Sequence, residues 1–300
     1  MRLSSFASIN RIAIWTYFRH LIGRRIASDW DATFEIGIRF VRSQFTVAMK
    51  QADIAQGRLL FDSLQTETDD IYDVDVEACD TPRGHWYRPG TRRSGKTLLY
   101  FHGGGYTFRS RVSARFAAML AHHTRATLFA PDYRLTPEHS HPAQAEDALE
   151  AWLFVTRTVA PRDIVIIGDS AGGHMALMLL QTLKARSLEQ PGLCVGICPW
   201  TDIGDRGASL RDNDRFDIVQ GWMALQFGKW LDPNDTFGRE ALSPIYHDFE
   251  GLAPIYLQAG GREVLHDMIA DFAEVQKARG ANVTLDVWPD MPHNFLAFDR

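Results

Sequence analysis

The chain has 300 residues, of which 45% are hydrophobic and 23% charged, and its net charge is −5. That balance excludes a disordered or collagen-like chain and a disulfide scaffold, and it offers no basic field for nucleic acid. An α/β sheet of this length can run as one unit, so a single domain over 1–300 is expected.

At the N-terminus Leu3, Phe6 and Ile9 follow Arg2, but Ser4, Ser5, Ser8 and Asn10 dilute the run and Arg11 ends it. No A-x-A site follows, and the segment reads as an amphipathic helix, not a removed leader. Between Arg11 and Arg25, Ile14, Phe18, Leu21 and Ile22 recur at helical spacing, and the stretch through Phe40 and Val41 to Leu60 also reads as helix. These helices precede any strand signal and predict a cap from roughly 1–60 over a later core. For the first helix, packing over the active site is preferred to contact with a membrane surface. No run of eighteen apolar residues occurs, so no membrane span is expected.

Tyr72, Val74 and Val76 alternate with Asp73, Asp75 and Glu77, the period of a half-solvated strand, and His85 to Pro89 is expected to pair back on it. The pattern then changes. Residues 97–101, 127–130, 164–167, 193–197 and 255–259 are short, nearly continuous apolar runs, as in parallel strands covered on both faces. Helical spacing separates them, for example Ala145, Ala148, Leu149, Trp152 and Val155. A helix from Asp267 to Arg279 stops at Gly280, and a last strand covers Val283–Trp288. The fold class is therefore α/β, a mostly parallel sheet with helices on both faces.

Between roughly 202 and 240 the alternation lapses. A helical stripe of Val219, Trp222, Met223, Phe227 and Trp230 predicts an inserted helical piece that completes the cap, its aromatics packing cap to body. Cys79, Cys194 and Cys198 are too few for a disulfide framework, and Cys194 and Cys198 in one strand would lie about 13 Å apart at ~3.3 Å per residue. A reduced, cytoplasmic chain is the expectation.

Gly168-Asp169-Ser170-Ala171-Gly172 follows one buried strand and precedes a helical run. That context is what a nucleophile elbow needs: glycines let the chain turn sharply, lifting the serine hydroxyl clear of the sheet beside unpaired helix amides. His102-Gly103-Gly104-Gly105 follows another buried strand, and bare glycine backbone there can present N–H groups to an oxyanion. A phosphate cradle is disfavoured. No Lys-Ser or Lys-Thr follows the glycines, and Phe108 takes the last glycine position of G-x-G-x-x-G.

Beyond Ser170 the histidines are His174, His247, His266 and His293. Chain order in α/β-hydrolases runs nucleophile, acid, histidine, and His293 lies in a turn-rich loop after the last strand. The acid comes from Gly260 to Asp267, where Glu263 is favoured over Asp267, the latter expected to cap the following helix.

Together these residues resemble the hormone-sensitive lipase family of α/β-hydrolase esterases, in its bacterial form. Four pieces carry the resemblance: His102 to Gly105; Asp132-Tyr133-Arg134-Leu135-Thr136-Pro137-Glu138-His139; Gly168 to Gly173; and Met291-Pro292-His293-Asn294-Phe295. Weaker echoes lie at Pro199 to Asp202 and Leu242 to Pro244, and the likeness runs from about residue 70 to the end. It implies an α/β-hydrolase fold with Ser170 as nucleophile and His293 as base. It also implies an oxyanion hole of Gly103, Gly104 and the Ala171 amide. His102, Asp132, Tyr133, Arg134 and Glu138 would hold the glycine loop. Two departures stand out: Glu263 where the family usually has Asp, and Asn294 where Gly commonly follows the histidine.

The implied activity is hydrolysis of short- to medium-chain acyl esters through an acyl-enzyme, with no cofactor and a small-molecule ester as partner. Lactone or amide cleavage by the same machinery is the alternative. A silent receptor, as in the related plant gibberellin receptors, is disfavoured because His293 is present. His122-His123 is expected to end a solvent-facing helix, and His139 and His141 flank a turn without carboxylate or cysteine partners at metal-ligand spacing, so no metal is expected. By the same resemblance, strand 283–288 could pair between subunits as a homodimer.

Overall fold

The computed structural model describes residues 3–63, 71–92 and 95–297. Three helices open the chain: α1 (Leu3–Leu21), α2 (Ala32–Met49) and α3 (Ile54–Asp62). Strands β1 (Val74–Asp80), β2 (Arg83–Pro89) and β3 (Thr97–Phe101) follow, then α4 (Arg111–Thr124), β4 (Thr127–Pro131), α5 (Ala143–Val155), β5 (Ile164–Asp169), α6 (Ala171–Ala185) and β6 (Leu193–Ile197). The inserted segment holds α7 (Ser209–Asp212), α8 (Gly221–Leu231) and α9 (Arg239–Leu242), and β7 (Ile255–Gly260), α10 (His266–Ala278) and β8 (Val283–Trp288) close the sheet.

The sheet has eight strands in the order β1-β2-β4-β3-β5-β6-β7-β8. β1, β2 and β4 pair antiparallel, and every pairing from β4 to β8 is parallel. Alternate residues of the apolar runs serve opposite faces, as the period-two geometry requires. Leu99 and Phe101 join a large core with Trp152 of α5, Leu177 of α6 and Phe272 of α10. Leu98 and Tyr100 join a smaller core with Phe116 and Ala121 of α4. The mostly parallel sheet with helices on both faces is thus as the sequence predicts. The strand order reverses between β3 and β5, so loops after their C-terminal ends face a common crevice where ligands bind in open α/β sheets.

Three expectations need correction. The helix expected through Phe40 and Val41 to Leu60 is two helices, because Asp53 accepts the Ala55 amide at 2.9 Å and restarts the chain as an N-cap. Gly57 lets α3 lie against α2, since a Cβ there would strike the Ala48 carbonyl. β1 is an edge strand without a buried face, and Val76 is 55% exposed. The third concerns α1. Its aromatics, Ile14 and Leu21 point outward, while Ser5 and His20 bond to α2, Thr16 is buried, and Ile9 and Ile12 are half-buried.

Candidate active site

β5 delivers the chain to Ser170, whose backbone sits at φ 54°, ψ −119°, before α6 begins at Ala171. A non-glycine residue at positive φ is held there only when its surroundings enforce it. Here β6 does so: the Ser170 amide donates to the Ile197 carbonyl at 2.9 Å, and the Ser170 carbonyl accepts the Trp200 amide at 3.1 Å. The flanking glycines are steric necessities. A Cβ on Gly168 would meet the Gly172 carbonyl, and one on Gly172 would meet the Phe101 carbonyl of β3. The strand–turn–helix is thus a nucleophile elbow in shape.

Across the crevice His293 Nδ1 lies 2.7 Å from Glu263 Oε2, with both side chains buried. The other carboxylate oxygen, Oε1, accepts the Gly260 amide at 2.7 Å, which fixes the carboxylate's orientation. Donation from Nδ1–H to Glu263 leaves Nε2 with the lone pair a base needs. Burial disfavours the imidazolium, but the Glu263 hydrogen bond and the charges of Glu263, Asp217 and Asp169 outweigh it, so the His293 pKa lies above the usual histidine value. Asp267 is elsewhere. It does not cap α10 through its side chain; Oδ2 instead accepts the Ser209 amide at 2.9 Å, holding α7 of the insertion.

The glycine loop is more selective than a run of three glycines suggests. Gly103 cannot offer its amide to an oxyanion, because that N–H is donated to Asp169 Oδ1 at 2.9 Å. Its lack of a side chain serves packing, since a Cβ there would strike the Asp169 carboxylate. Gly104 and Gly105 then turn left-handed at φ 99° and 62°, and Gly105 lies under the Phe227 ring. Among the described residues the amides of Gly104, Gly105 and Ala171 have no protein acceptor. All three glycines and Ser170 border one cavity.

Asp217 is the residue the sequence reading missed. It is fully buried in the inserted segment, where Oδ1 accepts the His293 amide at 3.0 Å and Oδ2 the Val264 amide at 2.6 Å. Burial and the nearby charge of Glu263 push its pKa up to about 7. One carboxylate therefore ties the base loop to the acid loop. Asn294 takes the left-handed conformation, φ 55°, that Asn tolerates best after Gly. Its Nδ2 donates to Asp169 Oδ2 at 2.8 Å, a link glycine could not make. Its amide donates to Cys198 Sγ at 3.3 Å.

Cys198 Sγ, Glu263 and His293 offer ligand atoms within 4.8 Å of one another. This set is a poor metal centre. Both Glu263 oxygens already accept protein donors, His293 Nδ1 is committed to Glu263, and burial pushes the Cys198 thiol up, away from the thiolate.

The remaining motif residues brace the loops. Tyr133 stacks on His102 at 4.2 Å, and its hydroxyl donates to the His102 carbonyl at 2.7 Å. Asp132 pairs with Arg109, and Arg134 with Asp147. Glu138 pairs with Arg58 of α3, which also donates to the Thr107 and Thr136 carbonyls at 2.7 Å each. Of the other histidines, His174 is a satisfied core residue between the Tyr106 hydroxyl and the Leu242 carbonyl, both at 2.6 Å. The cavity of about 310 Å³ is walled by Phe45 of α2, Phe61 of α3, Phe108, Trp200 and Phe227. Phe227 thus lines it, whereas Trp222 is 40% exposed.

Residues 98–297 match the α/β-hydrolase fold family. An acetyl-hydrolase of Streptomyces hygroscopicus is 34% identical over 215 residues, covering 69% of this chain and 70% of that protein. An esterase of Acinetobacter venetianus is 30% identical over 207 residues, covering 67% and 68%. Among solved structures, an esterase from the bacterial hormone-sensitive lipase family superposes with a TM-score of 0.76 at 28% identity, covering 86% of this chain and 89% of that one. A hormone-sensitive lipase from a metagenome library gives 0.76 at 27%, covering 86% and 90%. With the elbow, the glycine loop and these likenesses in agreement, the chain belongs to the α/β-hydrolase family, in its bacterial hormone-sensitive lipase form.

Proposed function

We propose that this carboxylic ester hydrolase works by two-step acyl transfer on short- to medium-chain acyl esters, with Ser170 as nucleophile, His293 as general base and Glu263 as the orienting acid. His293 Nε2 takes the Ser170 proton as Oγ attacks the ester carbonyl carbon. Negative charge then grows on the former carbonyl oxygen, and the amides of Gly104, Gly105 and Ala171 are the donors free to meet it. Collapse of this intermediate expels the alcohol, which receives the proton from His293, and leaves an acyl-Ser170 ester. Water, deprotonated by His293, attacks that ester; as the second intermediate collapses, the bond to Ser170 Oγ breaks, Oγ takes the proton back from His293, and the acid is released.

The observation that carries this reading is the shared cavity: Ser170 at its elbow and His293, its Nδ1 committed to Glu263, border the same apolar space. A modest aromatic chamber suits a small acyl group better than a long chain. In this reading the N-terminal helices and the inserted segment serve as a two-part cap. The test is turnover of nitrophenyl esters from acetate to laurate, beside a few lactones, for the native chain and Ser170→Ala. Activity should peak at the shorter acyl groups and vanish in the variant. Retained turnover by Ser170→Ala removes the nucleophile from this account.

A further inference from the structure

Helix α1 buries Ser5 and Thr16 and half-buries His20, Ile9 and Ile12, so its inward side is mixed, not the more apolar one. Ser5 Oγ donates to Gln44 Oε1 at 3.0 Å, Thr16 is fully buried, and His20 Nε2 meets the buried Glu35 carboxylate at 2.8 Å. The apolar side is left to solvent: Phe6, Ile14, Tyr17, Phe18, Leu21 and Ile22 are each between 48% and 86% exposed. At 3.6 residues per turn the first five fall within an arc of about 120°. Trp15 is 46% exposed at the edge of that arc, with the Arg19 and Arg39 guanidinium groups each 4.7 Å from its ring. Soluble monomers seldom leave so many large apolar side chains together on one helix face without something to cover them.

The charge around this face selects what covers it. The first acidic residue of the chain is Asp29, so the whole of α1 is without a carboxylate, whereas Arg11, Arg24 and Arg25 stand exposed at its middle and end. The chain as a whole carries −5, so this cationic end runs against the overall balance. Two copies of the face brought together by a two-fold axis would set arginine against arginine, with α1 itself supplying no carboxylate to offset them. An anionic lipid surface satisfies both features at once: acyl chains accept the aromatic and aliphatic residues, and headgroups neutralise the arginines. No helix of the described residues is long and apolar enough to cross a membrane, which leaves α1 to lie along one.

We propose that α1 is an interfacial anchor that lays this protein on anionic bilayers through its outward apolar face.

The experiment is co-sedimentation of the full chain with vesicles of phosphatidylcholine alone and of phosphatidylcholine mixed with phosphatidylglycerol, at low and high salt. The native chain is expected to pellet with the anionic vesicles, less so at high salt, and weakly with the neutral ones. Combined Ile14→Ser, Phe18→Ser and Leu21→Ser should lower the partition coefficient about tenfold or more, because three inserting side chains are lost. Combined Arg11→Gln, Arg24→Gln and Arg25→Gln should abolish the preference for anionic vesicles while leaving the weak neutral binding. Hydrolysis of a soluble acetate ester reports that each variant is folded and should be unchanged. The proposal is overturned if the native chain pellets with neither vesicle, or if neither set of substitutions alters binding. It is equally overturned if ultracentrifugation reveals a dimer that the serine substitutions dissociate, since the face then belongs to a second copy.

Discussion

The Asp217 carboxylate accepts the backbone N–H of His293 at 3.0 Å although 76 residues separate them in sequence. The same group accepts the Val264 amide at 2.6 Å, one residue beyond Glu263. A buried acid in the inserted segment therefore holds the backbone at His293 and the backbone beside Glu263 together.

Replacing Asp217 with Asn puts a donor where the His293 or Val264 amide expects an acceptor. Leaving such a buried group unsatisfied costs about 1–3 kcal/mol. The variant should lose stability of that order in a denaturant titration. It should also move the acid limb of the kcat/KM profile to lower pH, because the Asp217 charge helps to raise the His293 pKa. A purely structural role for Asp217 would change stability and leave that limb in place.

Glu263 and Asp267 separate cleanly in the structure, one against His293 and the other against Ser209. Glu263→Gln should lower kcat by about a thousandfold or more, as loss of the orienting acid does in other triads. Asp267→Asn should leave kcat near native and cost about 1 kcal/mol of stability from the lost hydrogen bond to α7. Parallel steady-state and unfolding measurements decide between them. The reverse ranking in kcat would make Asp267 the acid.

In the proposed mechanism His293 must be neutral to accept the Ser170 proton. Its pKa is raised, so activity should fall as pH drops through a value above about 6.5, the unperturbed histidine midpoint. The stability linkage has its own sign. A raised folded-state pKa adds stability below the unfolded value, and that contribution fades as pH rises through the folded one. A pH series of kcat/KM and of the unfolding midpoint should show the two trends running in opposite directions. An acid limb at or below the unperturbed midpoint would contradict the charge arrangement described for His293.

Asn294 permits a backbone experiment. Asn294→Gly and Asn294→Ala both lose the hydrogen bond to Asp169, but only Ala pays for the left-handed conformation, about 1–2 kcal/mol. The Ala variant should be the less stable of the two by about that amount. Equal stabilities would mean that φ at this position relaxes on substitution.

The central strands of the parallel sheet were legible because they are covered by helices and read as apolar runs, and 97–101 and 193–197 needed no adjustment; the edge strand 283–288, only partly covered, also kept its bounds. The elbow at Ser170 and the His293–Glu263 hydrogen bond were foreshadowed by motif, order and spacing. What escaped the sequence were backbone commitments and distant pairings. Three consecutive glycines look alike until the Gly103 amide is seen on Asp169. Asp217 sits between Phe216 and Ile218 with no motif around it, and its partners come from elsewhere in the chain. The orientation of α1 was hidden for another reason. Periodicity reveals that a helix has two sides but not which one meets the body, and here buried Glu35 claims the one that carries His20.

The N-terminal helices also reach the chemistry directly. The Trp30 indole donates to the Asp290 carbonyl at 2.7 Å, three residues before His293, while Arg58 grips the carbonyls of Thr107 and Thr136 beside the glycine loop. On the proposed mechanism, transplanting this segment from a relative to change substrate preference would also disturb the loops that carry His293 and the glycine-run amides, so selectivity and rate could not be exchanged independently by swapping that part alone.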